Sequence, residues 1–90
     1  MEAAMTTGER VGVVTHYYDR LSVAVLTLTR PLQLNAVVHF LGKSTDFQQQ
    51  VTSMQVDHQP VTAAEAGEVA LEVKQKVRPG DAVFLLSGAE

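Results

Sequence analysis

The chain has no cysteine. That absence excludes a disulfide framework and any thiolate metal site, and it fits a reducing compartment, so a cytoplasmic protein is expected. Residues 1–10 hold no apolar run and carry Glu2 and Glu9, so they read as neither a signal peptide nor a membrane segment. Positive charge is scarce as well. Seven Lys and Arg against ten Asp and Glu leave a net charge of −3, unlike a protein that grips nucleic acid by bulk electrostatics. No Gly-x-x-x-x-Gly-Lys-Ser/Thr occurs anywhere, which removes the phosphate cradle needed for nucleotide hydrolysis. Helical periodicity is nearly missing too. Only residues 60–67 have helical character, and at that length a single turn or loop capped by Gly67 is expected.

What the chain does have is 46% hydrophobic residues over 90 positions, enough for one core and too few residues for two. The apolar positions favour a period of two. Val11, Val13, Thr15 and Tyr17 alternate with Gly12, Val14, His16 and Tyr18, which puts the two tyrosines on opposite faces. A second strand over residues 22–28 follows a tight connection at Asp19-Arg20, and Pro31 ends it for want of an N–H. Further strands are expected at about 36–41, 47–56, 69–74 and 82–86, with a bulge in the fourth near Thr52-Ser53. Two stretches echo each other: Leu32-Gln33-Leu34-Asn35-Ala36 and Val77-Arg78-Pro79-Gly80-Asp81. Each places a residue tolerant of positive φ just before a strand, and Pro79-Gly80 favours a type II turn. Six short strands with regular turn signals predict an all-β fold, a small six-stranded, mostly antiparallel closed β-barrel. It is expected to fill residues 10–87, with a flexible leader over 1–9 and a tail over 88–90.

Chemistry-bearing residues are few. His16, His39 and His58 match no metal-ligand spacing, so no metal site is expected. Serines and threonines sit in no nucleophile frame, and Asp19, Asp46, Asp57 and Asp81 show no pairing pattern, so no catalytic residue and no cofactor is assigned. Lys74, Lys76 and Arg78 alternate and form a basic stripe on one strand face if the fifth strand runs that far.

Val51-Thr52-Ser53-Met54-Gln55-Val56-Asp57-His58, then Ala66-Gly67-Glu68-Val69 and Val77-Arg78-Pro79-Gly80-Asp81, resemble the second domain of translational GTPases of the elongation factor Tu type. The opening Val11-Gly12-Val13-Val14-Thr15-His16-Tyr17-Tyr18 is similar to small stand-alone elongation factor-like proteins, and a similar barrel is appended to some U32 peptidases. The resemblance implies a non-catalytic binding module that contacts RNA, such as a tRNA-like 3′ end, or a ribosome-related partner. It sets Gln55 at the position where elongation factors carry an acidic residue against the terminal adenosine, and places His58 close by. With Lys74, Lys76 and Arg78 these make up the expected binding set. The alternative is an adaptor that docks on a separately encoded enzyme such as a U32-type peptidase, a role that suits the net acidity.

Overall fold

β-branched residues and period-two patterning drive the chain into strands throughout. The computed structural model describes residues 9–87, so the expected leader, apart from Glu9, and the tail 88–90 lie outside the described residues. Ten strands follow in order: β1 (Glu9–Tyr18), β2 (Val23–Leu28), β3 (Leu32–Gln33), β4 (Val37–Leu41), β5 (Asp46–Gln50), β6 (Met54–Val56), β7 (Gln59–Pro60), β8 (Ala63–Ala64), β9 (Gly67–Glu72) and β10 (Ala82–Ser87). Every ladder among them is antiparallel. The all-β expectation holds, and among the described residues no helix forms, so none crosses a membrane. The turn or loop expected over 60–67 contains no helical turn: the short strands β7 and β8 reach into it, and Gly67, at φ 91°, opens β9.

The closed six-stranded barrel is corrected to an open sheet. Eight strands pair in the order β5-β4-β10-β1-β2-β9-β6-β7, and β3 pairs with β8 apart from them. The stretch expected as one bulged strand over 47–56 is the reason. Residues 51–53 leave the ladder, so β5 ends the sheet on one side while β6 joins β9 near the other. No ladder joins β5 to β6. The side chain of Gln49, buried on the inner face of β5, spans the gap instead. Its Nε2 donates to the Glu72 carbonyl at 2.9 Å, and its Oε1 accepts from the Lys74 amide at 2.8 Å. At the far edge, Pro60 in β7 has no N–H to offer a further strand.

Two irregularities in β1 decide what faces inward. The register against β10 shifts between Arg10 and Gly12, and that against β2 shifts between Val14 and His16. Strict alternation is therefore broken: Val11 and Val14, three apart, are both fully buried, while Val13 is not. Thr15 sits in the second bulge with its hydroxyl on the Val25 carbonyl at 3.1 Å. Beyond it, Tyr17 packs on the core and His16 and Tyr18 both point outward. The core gathers Val11, Val14, Leu26, Val38, Val69, Leu71 and Val83, with Phe40 and Phe47 paired across β4–β5 at a ring-centroid distance of 5.1 Å.

The sequence echo is a structural repeat. Asn35 (φ 74°) and Gly80 (φ 96°) each occupy the left-handed position of a turn closed by an i to i+3 hydrogen bond, Ala36 to Gln33 and Asp81 to Arg78. Each also exchanges a pair of main-chain bonds with a passing extended segment. Asn35 donates to the Val51 carbonyl and Val51 donates to Ala36; Gly80 donates to the Val14 carbonyl and Val14 donates to Asp81. Substituting Asn35→Gly should raise stability by less than about 1 kcal/mol in urea unfolding, because asparagine already tolerates this backbone better than other side chains do.

Candidate functional site

The bulge at Thr15 carries His16 and Tyr18 to the outer face, and the ladders then align two rows across four strands. One row runs His16, Val25, Ala70, Gln55; the other runs Tyr18, Val23, Glu72. Ser53, whose carbonyl accepts from the Glu72 amide, extends the second. Together they floor an open trough of about 790 Å³. The floor is aliphatic, with Val23, Val25 and Ala70 half-buried. One wall is formed by the His16 and Tyr18 rings, stacked with centroids 6.2 Å apart, and by Leu21 in the β1–β2 connection. The other wall is Gln55 with the turn Asp57-His58. Tyr18 and Leu21 are the two exposed large hydrophobic side chains among the described residues, at 50% and 67% exposure, and both line this trough. Its charged lining is Asp57, Glu68 and Glu72, with no lysine or arginine.

The turn that shapes the second wall is held at a cost. Asp57 (φ 53°) and His58 (φ 65°) are the two central residues of the β6–β7 hairpin, and both lie in the left-handed region that a type I′ turn requires. Glycine is favoured at the second of these positions, and a histidine there costs about 1–2 kcal/mol. Such strain is characteristic of residues retained for what they present rather than for stability. His58→Gly should therefore raise the melting temperature by about 5 °C, measured by circular dichroism, since about 1 kcal/mol moves a domain of this size by 4–8 °C.

Of the five residues expected to bind a partner, the structure brings together two. Gln55 and His58 share the trough. Lys74, Lys76 and Arg78 do not line it, and the stripe expected of them is corrected: β9 stops at Glu72, so the three follow an irregular segment and share no strand face. The inward pull of Val73 and Val77, both buried, and the bond from the Lys74 amide to Gln49 turn the chain off the sheet. Arg78 opens the Pro79-Gly80 turn, where its amide donates to the buried Asp81 carboxylate at 2.9 Å.

His16 joins His58 in the trough, whereas His39 lies on β4 with its Nε2 2.6 Å from the Asp46 carboxylate of β5. Among the described residues, no three His, Asp or Glu side chains are placed to share a metal ion. Sequence reasoning missed Tyr18, Leu21, Glu68 and Glu72 as site residues. That His16 and Tyr18 share a face was legible from their i, i+2 spacing, but the Thr15 bulge turns that face outward, and Glu68 and Glu72 join them only through the β2–β9 ladder.

Comparison with known proteins places this geometry in context. No family model matches the chain. It is 36% identical over 78 residues to an uncharacterized protease of Methanocaldococcus jannaschii; the match takes in 84% of this chain and 19% of that protein. The chain thus spans about one fifth of the length of the curated relative it matches. Its fold is that of the C-terminal domain of a protein described as a U32 peptidase from Geobacillus thermoleovorans. Two crystal structures of that domain superpose with TM-scores of 0.80 at 21% identity, one covering 84% of this chain and 98% of that one, the other 89% and 94%. These matches support the peptidase-linked side of the sequence resemblance; the elongation factor side is not shown by them.

Proposed function

We propose that this domain is a non-catalytic, protein-binding accessory domain of a U32-type peptidase system, docking beside a catalytic partner. The observation that carries this reading is the shared fold with a domain that is itself a C-terminal portion of such a peptidase, joined to 36% identity with one fifth of a protease. The charge of the trough agrees with it. Three carboxylates with no lysine or arginine among the described lining residues suit a protein surface and oppose a phosphate backbone. The RNA reading has less support, because Lys74, Lys76 and Arg78 do not line the trough that holds Gln55 and His58.

Co-expression of the tagged 90-residue chain with the catalytic portion of a U32 peptidase from the same genome, followed by size-exclusion chromatography, tests the reading. A stoichiometric complex with a protein-like absorbance ratio at 260 and 280 nm is the expected result. Elution of the chain alone, or with nucleic acid in place of protein, would overturn it.

A further inference from the structure

We propose that the trough on the outer face of β1-β2-β9-β6 is the docking site, and that its occupant is a basic protein segment bearing an apolar anchor beside an arginine or lysine. This rests on the protein-binding reading above and gives that reading a face and a chemistry.

Two independent properties of the surface select the occupant. The first is hydrophobic. The exposed Tyr18 and Leu21 flank a floor of half-buried Val23 and Val25, so the two exposed large apolar side chains among the described residues fall on one outward patch. A clustered patch of this kind marks an interaction surface, whereas single exposed apolar residues do not. The second is electrostatic. Glu68 and Glu72 stand on β9, one on each side of Ala70, and Asp57 faces them from the β6–β7 turn. Among the described residues no lysine or arginine lines the trough, so a guest supplies the fixed positive charge that these carboxylates can pair with.

The register fixes how the two properties combine. Tyr18, Val23 and Glu72 lie in one cross-strand row. An arginine laid along that row places its guanidinium at the Glu72 carboxylate and its aliphatic stem on Val23, with the Tyr18 ring at its back. The adjacent row offers His16, Val25 and Gln55, where an apolar neighbour on the guest meets Val25 and its main chain meets the Gln55 amide. A neutral amide both donates and accepts, which a carboxylate at the same position would not do for a peptide backbone. A nucleic acid is the poorer guest, because its phosphates would meet Asp57, Glu68 and Glu72 together.

Titration of the isotope-labelled 90-residue chain by NMR tests the proposal with three probes: a capped hexapeptide alternating arginine with leucine, its counterpart with glutamate for arginine, and a short single-stranded RNA ending in CCA. The expected result is saturable shifts at Val23, Val25, Ala70, Glu72 and Gln55 with the basic peptide alone, weakening as salt is raised. Tyr18→Ala and Leu21→Ser should each weaken binding about tenfold, the loss typical of an anchor contact. The double variant E68Q/E72Q should weaken it about fivefold through two solvent-exposed ion pairs. All four positions are exposed or at the surface of the trough, so at least one variant remains folded for the comparison. Equal response to the acidic peptide, shifts in this trough with RNA, or no localised shifts at millimolar basic peptide would each overturn the proposal. If the titration fails while the stoichiometric complex with the catalytic portion persists, the face is wrong and the accessory role stands. If the peptide binds and no complex forms, the accessory role falls and the face stands.

Discussion

Gln49→Leu should lower the melting temperature of this domain by about 10–20 °C, a loss of about 2–3 kcal/mol for a chain of this size. The side chain is buried at 6% exposure, yet it is polar, and both ends of its amide are spent on main chain. Nε2 donates to the Glu72 carbonyl and, at 3.3 Å, to that of Gln50; Oε1 accepts from the Lys74 amide. Leucine keeps most of the volume but leaves the Lys74 amide and the Glu72 carbonyl without these partners, and each orphaned group costs about 1–3 kcal/mol where water does not reach it. The effect is larger than an ordinary hydrogen-bond deletion for an architectural reason. No ladder joins β5 to the far side of the sheet, so this one side chain ties the end of β9 to β5. Gln49→Glu separates the two bonds, since a carboxylate accepts from Lys74 and cannot donate to Glu72. Only the protonated acid restores the donor, so the folded state of that variant holds its proton more tightly than the unfolded one. Its stability should therefore fall as pH rises through the carboxyl range, and urea unfolding across pH 4–7 checks the sign, while Gln49→Leu shows no such slope.

Gly42→Ala should destabilise the fold by about 1–3 kcal/mol, the range typical of steric overpacking. A Cβ built on Gly42 lies 1.9 Å from Asp81 Oδ1 and 2.6 Å from its Cγ. The carboxylate has little freedom to yield. Asp81 is buried at 5% exposure, and its Oδ2 accepts the Arg78 amide at 2.9 Å within the Pro79-Gly80 turn. Moving it unlocks that turn, through which Gly80 and Asp81 exchange main-chain bonds with Val14 of β1. Gly42 itself starts the β4–β5 connection, donating to the Thr45 carbonyl at 2.7 Å, so the backbone on the other side of the clash is pinned as well. A double-mutant cycle identifies the cause. Asp81→Ala alone should be costly because it removes the cap on Arg78. In that background, however, Gly42→Ala should cost less than about 1 kcal/mol, a coupling that two independent sites would not show. Additive losses in urea unfolding would rule out the Asp81 contact as the cause.

Much of the local structure could be read from the residues. Gly80 and Asn35 were expected at positive φ and are there, because the turn each makes is set by its immediate neighbours. Tyr17 and Tyr18 face opposite ways as consecutive strand residues must, and the strand expected at 82–86 is present as Ala82–Ser87. The candidate site was half legible. Gln55 and His58 were singled out from a resemblance, and the structure sets both on one trough; Lys74, Lys76 and Arg78 were read as one strand face on the condition that the fifth strand ran that far, and it ends before them. That failure has a definite origin. A period-two pattern shows which residues would share a face if the strand continued, while the end of β9 is decided by Gln49, twenty-five residues earlier in the chain, which takes the Lys74 amide.

The sequence by itself therefore determined a mostly antiparallel all-β domain and its repeated left-handed positions at Asn35 and Gly80, because these depend on side-chain sterics and backbone freedom within a few residues. The tertiary structure alone decided that the sheet stays open, that residues 51–53 carry the chain from one side of it to the other, and that Tyr18, Val23 and Glu72 meet in a row. Strand order and register are settled by which faces can be buried together across the whole chain, and the bulge at Thr15 reverses the parity of the rest of β1. A linear pattern holds no record of that reversal until the strands on either side have paired.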